Sequence, residues 1–215
     1  MYQPGHGKFV VEDAVALLAQ LASTIPATLV TISADGSLRT SILPMLFDAD
    51  AGEHGILRGH LARPNGQWRD ARPDAQTIAI FNGPDAYVTP SWYEEKRRTG
   101  RVVPTWNYTT VVVHGVLVAH DDPDWVVAHV RQLVDAHEWT RPVPWSVDDA
   151  PENYIAGQTK GIVGLELLIG RIDAKRKLTQ NRSRADIEGT IDGLAEGSPR
   201  EQAVAKDMRD ATSDG

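Results

Sequence analysis

Residues 83–114, GPDAYVTPSWYEEKRRTGRVVPTWNYTTVVVH, hold the densest cluster of aromatic and polar side chains in the chain. Two proline-led blocks carry it: Pro90 precedes Ser91, Trp92 and Tyr93, and Pro104 precedes Thr105, Trp106, Asn107 and Tyr108. Proline fixes its own φ and pushes the preceding residue towards extended geometry. Both blocks are therefore expected in defined, non-helical backbone that can aim side chains, with a charged loop from Glu94 to Arg101 between them. Two indoles, two phenols, an amide and two hydroxyls are suited to a flat ring with hydrogen-bonding edges, stacking on its face and reading its rim. The same residues are open to a structural interpretation, on physics alone the more common one. In that case Trp92 and Trp106 are core aromatics at the mouth of a barrel, with their N–H groups satisfied locally.

A phosphate bound away from a helix N-terminus needs gathered donors, and GHLARPN (59–65) offers His60, Arg63 and Asn65 at a strand end. A solvated loop has the same composition. KRKLTQN (175–181) adds Lys177, Gln180 and Asn181, a cation and two amides just after a strand. His114 and His120 are six residues apart and share a strand face by alternation, but no third ligand is evident and no metal site is expected. His129 and His137 fall on a predicted helix and read as interfacial or surface residues.

The common nucleotide, zinc and hydrolase motifs, G-x-G-x-x-G after a strand, G-x-x-x-x-G-K-[ST], H-E-x-x-H and G-x-S-x-G, do not occur. The chain has no cysteine, which excludes disulfides, thiolate zinc sites, iron–sulfur clusters and cysteine nucleophiles. Any redox chemistry has to be borrowed from a cofactor, and no residue is assigned a catalytic role.

The elements that position these residues follow from periodicity. Val11, Val15, Leu18, Ala22 and Ile25 recur at helical spacing, predicting a helix from Glu12 to Thr24 closed by Pro26. ATLVTIS (27–33) and LRTSILPMLFD (38–48) flank Asp35-Gly36 as a hairpin, with Pro44 marking an edge or bulge. ILRGHLA (56–62), QTIAIFNGP (76–84), AYVTP (86–90), 102–120 and 162–175 are further strand candidates, and Gly115 suggests a bulge or bend. Asp122 as N-cap with Pro123 opens a second helix carrying Val126, Val130, Leu133, Val134 and His137 on one face. A short helix is expected in PENYIAGQTKG and a weak one from Ala185 to Leu194, and the tail SPREQAVAKDMRDATSDG reads as too polar to bury a face. About seven strands with hairpin-scale loops favour a mainly β (α+β) fold, an antiparallel barrel with flanking helices, over a βαβ sheet.

At 215 residues the chain fits one domain, and 41% hydrophobic residues suffice for a core. The expected division is a barrel domain over 1–181 and a helical or partly disordered tail over 182–215. No apolar run approaches the roughly 20 residues needed to cross a bilayer, and MYQPGHGKF lacks a hydrophobic signal core, so no membrane association and a cytoplasmic location are expected. The formal net charge of −7 argues against a broad DNA-binding surface, although Lys96-Arg97-Arg98 and Lys175-Arg176-Lys177 are local basic patches.

The N-terminal MYQP, LRTSILPMLFD, GHLARPN followed by Gln67-Trp68, FNGPDAYVTPSWY, VPTWNY followed by VVVHG, Pro144-Trp145 and KLTQN occur in a characteristic order. In these segments the chain resembles the PaiB-like FMN-binding negative transcriptional regulators, nearly throughout to about Asn181. The resemblance implies a split β-barrel related to pyridoxamine-phosphate-oxidase-like flavoproteins, homodimeric, with FMN at the subunit interface. It implies that His60, Arg63 and Asn65 face the phosphate and that Ser41 and Leu43 lie along the isoalloxazine. Thr105, Trp106 and Asn107 would come from the neighbouring subunit, and Lys177, Gln180 and Asn181 would close the site. Gly5-His6-Gly7 departs from the bulkier segment more usual after MYQP, which bears on N-terminal contacts. Three functions remain open: a flavin-dependent regulator acting on DNA directly or through a partner, an FMN-dependent oxidoreductase using NAD(P)H, and a barrel that binds FMN or another ligand purely as a carrier.

Overall fold

Period-two alternation in the β-rich runs becomes seven strands, with helices where the period is 3.6. The computed structural model describes residues 1–2, 9, 11 and 13–213. Gln3 and Pro4 of MYQP, Gly5-His6-Gly7 and Glu12 as the start of the first helix lie outside the described residues. In chain order the elements are α1 (Ala14–Ala22), β1 (Ala27–Ile32), β2 (Leu38–Leu43), β3 (Leu46–Asp48), β4 (Ile56–Ala62), α2 (Gln67–Asp70), β5 (Thr77–Val88), α3 (Glu94–Thr99), β6 (Thr105–His120), α4 (Pro123–Glu138), α5 (Glu152–Thr159), β7 (Ile162–Lys177), α6 (Arg184–Ala195) and α7 (Pro199–Ser213). Short 3-10 turns cover Pro90–Trp92 and Val147–Asp149. Among the described residues no helix is long and apolar enough to cross a membrane.

The strands form one sheet in the order β2-β1-β5-β6-β7-β4-β3, with β1–β2, β1–β5, β3–β4 and β4–β7 antiparallel. The two end strands of that order, β2 and β3, are separated in the chain only by Pro44 and Met45. The sheet therefore curls until its edges approach, the mark of a split barrel. Pro44 has no N–H for a ladder and falls at the break. The link crosses β4 closely: a Cβ on Gly59 would lie 3.0 Å from Leu43 Cδ1 and 3.1 Å from the Pro44 carbonyl. The expected fold class, a mainly β, antiparallel split barrel with flanking helices, is the one observed.

Two compact units divide the chain. The barrel unit comprises Ala14–Phe81 and Val112–Asp173, and its core includes Leu18, Leu29, Met45, Leu57, Phe81, Leu165 and Leu167. Here α4 begins as expected, with the Asp122 side chain accepting from Asp124 N and Pro123 in the first turn. It buries Val126 and His129, so His129 is a core residue rather than an interfacial or surface one. Gly115 makes no break in β6. A Cβ there would lie 2.2 Å from the Leu168 carbonyl, so glycine permits close approach of β7.

The aromatic unit comprises Met1–Asp13, Asn82–Val111 and Ala174–Gly215. Its core gathers Ala86, Leu178, Ile191, Leu194, Val204, Ala205 and Met208, with Trp92 and Ile187 packed against it. The polar tail does bury a face. Val204, Ala205 and Met208 sit at i, i+1 and i+4, a narrow stripe that a low mean hydropathy conceals. The expected charged loop at 94–101 is largely helix α3, ended by Gly100 in the left-handed region at φ 69°. The two short strands expected at 76–90 are one, β5, whose buried positions switch from odd (77, 79, 81) to even (86, 88) across Gly83-Pro84-Asp85.

Candidate functional site

In the barrel unit, the end of β4 and the loop after it form a neutral hydrogen-bond network. Ser41 Oγ accepts from Asn65 Nδ2 at 2.9 Å and donates to Gln67 Oε1 at 2.6 Å. Gln67 N donates to Asn65 Oδ1 at 3.0 Å, and Gln67 Nε2 donates to the Arg39 carbonyl at 3.2 Å. Gln67 is buried, so this amide fixes Ser41 and Asn65 in place. Leu43 is also buried, packed where the chain crosses Gly59. Arg63 is anchored otherwise: Nε donates to the Lys160 carbonyl (2.7 Å), and Nη2 donates to Asp121 Oδ1 (2.6 Å) and the Ile162 carbonyl (3.1 Å). Its hydrogen bond holds the Asp121 carboxyl below the usual range. The Trp68 indole donates to the Arg63 carbonyl at 3.1 Å, pinning the loop.

His60 turns to α4 instead of joining Arg63 and Asn65. Its Nδ1 is 3.2 Å from His129 Nε2. The His129 ring stacks on Trp125 at 5.3 Å, and Trp125 stacks on His120 at 4.4 Å. Beyond it, His120 meets Glu166 at 2.9 Å, and Arg58 bridges Glu166 and Asp48 at 2.8 Å each. Burial lowers the pKa of both His60 and His129. For His129, His60 and Arg58 add to burial and bring it to about 4. His129 Nδ1 is buried without a hydrogen-bond partner among the described residues. An orphaned N–H costs more than an idle lone pair, so the favoured tautomer puts the proton on His129 Nε2, donating to His60 Nδ1.

In the aromatic unit the 104–108 and 175–181 segments come together. Lys177 Nζ donates to Thr105 Oγ1, and the buried Asn107 amide donates to Thr179 Oγ1 at 2.8 Å and to Met208 Sδ at 3.3 Å. Thr179 has φ 69°, a conformation costing a β-branched residue roughly 1–3 kcal/mol unless its surroundings hold it. Asn107 supplies that hold. Gln180 folds back, accepting from Leu178 N at 2.6 Å and donating to the Arg176 carbonyl at 2.7 Å. Asn181 is exposed.

The two interpretations of the aromatics divide between the blocks. Trp92 and Tyr93 are structural: the Trp92 indole lies so close to Gly193 that a Cβ there would come within 2.3 Å, and the buried Tyr93 ring is covered by the Arg182 guanidinium at 4.4 Å. Trp106 is 54% exposed, edge-on to Tyr87 at 6.1 Å. It lines an open groove of about 610 Å³ with Asn82, Asp85, Tyr108, Thr110 and Arg200. Helix α7 braces this strand through Asp207, which accepts from Thr109 at 2.9 Å.

His114 and His120 do not share a site. His114 faces Asp173 at 3.1 Å and Gln76 at 3.2 Å, whereas His120 faces Glu166. Sequence reasoning named Gln67, Thr179 and Lys175 only within motifs or a basic patch and gave them no role in the site. The N-x-Q spacing at 65–67 is a usable turn signal for the first; nothing local marks the strained threonine.

A family model described as "Putative FMN-binding domain" matches residues 1–171. The chain belongs to the PaiB-like FMN-binding family. Among similar proteins, this family member is 31% identical over 169 residues to the protease synthase and sporulation protein PAI 2 of Bacillus subtilis, covering 78% of each chain. It is 34% identical over 189 residues to an uncharacterised protein of Aspergillus fumigatus, covering 73% of this chain and 72% of that one. The fold matches a flavocytochrome from Azotobacter vinelandii with TM-score 0.54 at 13% identity, covering 82% and 72% of the two chains. It also matches the FAD and heme binding protein from Mycobacterium smegmatis with TM-score 0.53 at 16% identity, covering 74% and 69%. FMN is the cofactor of this PaiB-like protein. The donor set suits it, with hydroxyls and amides for a polar ring edge, an exposed indole for a ring face, and guanidinium and ammonium groups for a phosphate.

Proposed function

We propose that the protein is an FMN-binding regulator that works as a homodimer in the cytoplasm, its flavin occupancy or redox state biasing a surface read by a partner. In this reading the phosphate end of FMN is met by Arg63 and Asn65 with His60 behind them, and Ser41 and Leu43 run along the isoalloxazine. A second copy supplies Thr105 and Trp106 over the ring, with the buried Asn107 holding their strand from beneath, and Lys177, Gln180 and Asn181 close the site. Bound FMN supplies electron or hydride transfer; the protein binds, orients and shields it.

The observation that carries the reading is Trp106. Its neighbours Asn107 and Thr109 are locked to Thr179, Met208 and Asp207, while its own indole stays half in solvent. A rigidly held, exposed indole is a prepared stacking surface. The Bacillus relative is named for protease synthesis and sporulation, which favours a regulatory role over a metabolic one. Direct DNA binding has little charge behind it: the chain is acidic, Arg97 and Arg98 are turned to Glu94 and Glu95, and action through a partner protein fits better.

An FMN-dependent oxidoreductase is the second reading, favoured by the room over Trp106 for a transient nicotinamide. The deciding experiment adds NADPH anaerobically to the flavin-loaded protein. A spectrum that stays oxidised supports the regulator, and bleaching that recovers in air supports the oxidoreductase. A colourless protein that ignores added FMN would sink both.

A further inference from the structure

We propose that Lys175 and Lys177, with Thr105, form a binding site for the phosphate group of a ligand whose flat ring lies on the Trp106–Tyr108 face. The two lysines are two residues apart on β7, so their side chains leave the same face of the strand. Both ammonium groups lie over the Tyr108 ring, at 5.6 and 5.9 Å.

Lys175 is 7% exposed, yet neither lysine has a carboxylate partner among the described residues. Lys175 Nζ donates to the Tyr2 carbonyl at 3.3 Å and faces the Tyr2 and Phe9 rings; Lys177 Nζ donates to Thr105 Oγ1. Several arginines elsewhere are matched: Arg58, Arg63, Arg131 and Arg200 each hold a carboxylate. Lysine is seldom buried unless paired. Each ammonium carries three donors, of which one is used on each among the described residues, and an aromatic face attracts a cation without accepting its N–H bonds through an oxygen. A phosphate dianion supplies both the missing charge and the missing acceptors.

Tyr108 also lines the groove with Trp106, Asn82 and Thr110. The rings suit a flat heterocycle, and the amide and hydroxyl suit its polar edges. The phosphate is either that of FMN itself, in which case Lys175 and Lys177 meet it in place of Arg63 and Asn65, or that of a second phosphorylated ligand. The ring's identity rests on the flavin reading; the anion site rests on the unmatched charges.

The test uses the full chain stripped of flavin, as wild type, Lys175→Met, Lys177→Gln and Arg63→Ala, each checked for native circular dichroism. Pyrophosphate affinity is measured by calorimetry, and FMN and riboflavin affinities by fluorescence. If FMN places its phosphate here, the wild type prefers FMN to riboflavin, and that preference falls about tenfold or more in the lysine variants but not in Arg63→Ala. If a second ligand does, the flavin preference is unchanged and pyrophosphate binding alone falls by a similar factor. Either result supports the site. A folded Lys177→Gln that keeps both the wild-type pyrophosphate affinity and the wild-type FMN-to-riboflavin ratio overturns it, as does a wild type with neither. A protein that binds pyrophosphate but no flavin refutes the flavin reading and leaves the lysine site standing.

Discussion

Replacing Gly193 by alanine opposes two known effects of opposite sign. In a helix interior, glycine to alanine gains about 1 kcal/mol of backbone propensity. At Gly193 in α6, however, the new Cβ would lie 2.3, 2.4 and 2.5 Å from Trp92 Cε2, Nε1 and Cδ2. Ordinary contact is about 3.5–4 Å, so the indole has to move by roughly 1 Å. It cannot swing away freely, because the Trp92 carbonyl is itself pressed on α6, only 2.3 Å from where a Cβ on Gly189 would stand.

Overpacking of this kind costs about 1–3 kcal/mol, and more where the neighbour is rigid. We expect Gly193→Ala to be destabilising by about 1–2 kcal/mol net, lowering the melting temperature by roughly 2–8 °C at this chain length. Gly157 in α5 is the control: nothing lies within 4 Å of its Cβ position, so Gly157→Ala should stabilise by about 0.5–1 kcal/mol. Calorimetric melts of the two variants beside wild type decide the matter. If Gly193→Ala melts at or above wild type while Gly157→Ala rises as stated, the Trp92 contact with α6 is wrong.

Acid should weaken the protein through His129. Its folded pKa of about 4 lies below the ordinary 6.5, so its contribution is fully present above about pH 6.5 and is lost as pH falls through about 4. The loss amounts to about 3 kcal/mol. Denaturant melts of wild type and His129→Phe between pH 7 and 4 should show the variant's slope flattened; equal slopes would exclude a neutral buried imidazole. Trp106→Ala should leave the melting temperature within about 1 °C, since the indole is half exposed, yet weaken FMN binding and dimerisation in fluorescence titration and sedimentation. Retention of both would make the indole a bystander. Arg63→Ala should cost about 1.5–3 kcal/mol of FMN affinity if its guanidinium meets the phosphate; an unchanged titration would leave Arg63 to its present partners Asp121, Lys160 and Ile162.

Strand alternation and the Asp122-Pro123 cap were legible because each is a local pattern with one physical outcome. In β1 the burial alternates residue by residue, and α4 starts where its cap says. Helix α3 was misread because EEKRRT has no apolar face. Its support is in part local, from the Arg98–Glu95 pair and the left-handed Gly100, and in part remote, from Asp186 in α6, whose Oδ1 accepts from Glu95 N at 3.0 Å. His129 was readable in principle, since it stands three residues from Val126 on the buried face, but a titratable side chain was assumed to prefer water. The hold of Asn107 on Thr179 was not readable, because it depends on two segments 72 residues apart. Of the candidate site, the motif segments gave the residues; the roles of Gln67 and of Lys175, which has no carboxylate partner among the described residues, emerge only when partners can be counted.

The helices that grip the two aromatic blocks lie wholly beyond residue 171, where the family match stops. An expression fragment trimmed to that match would sever β7 before Lys175, strip the cover from Ala86 and Trp92, and leave the strand bearing Trp106 unbraced. Such a fragment should be insoluble or colourless even if every residue of the recognised region were intact. The stretch beyond the family match is thus the scaffold on which the matched part depends.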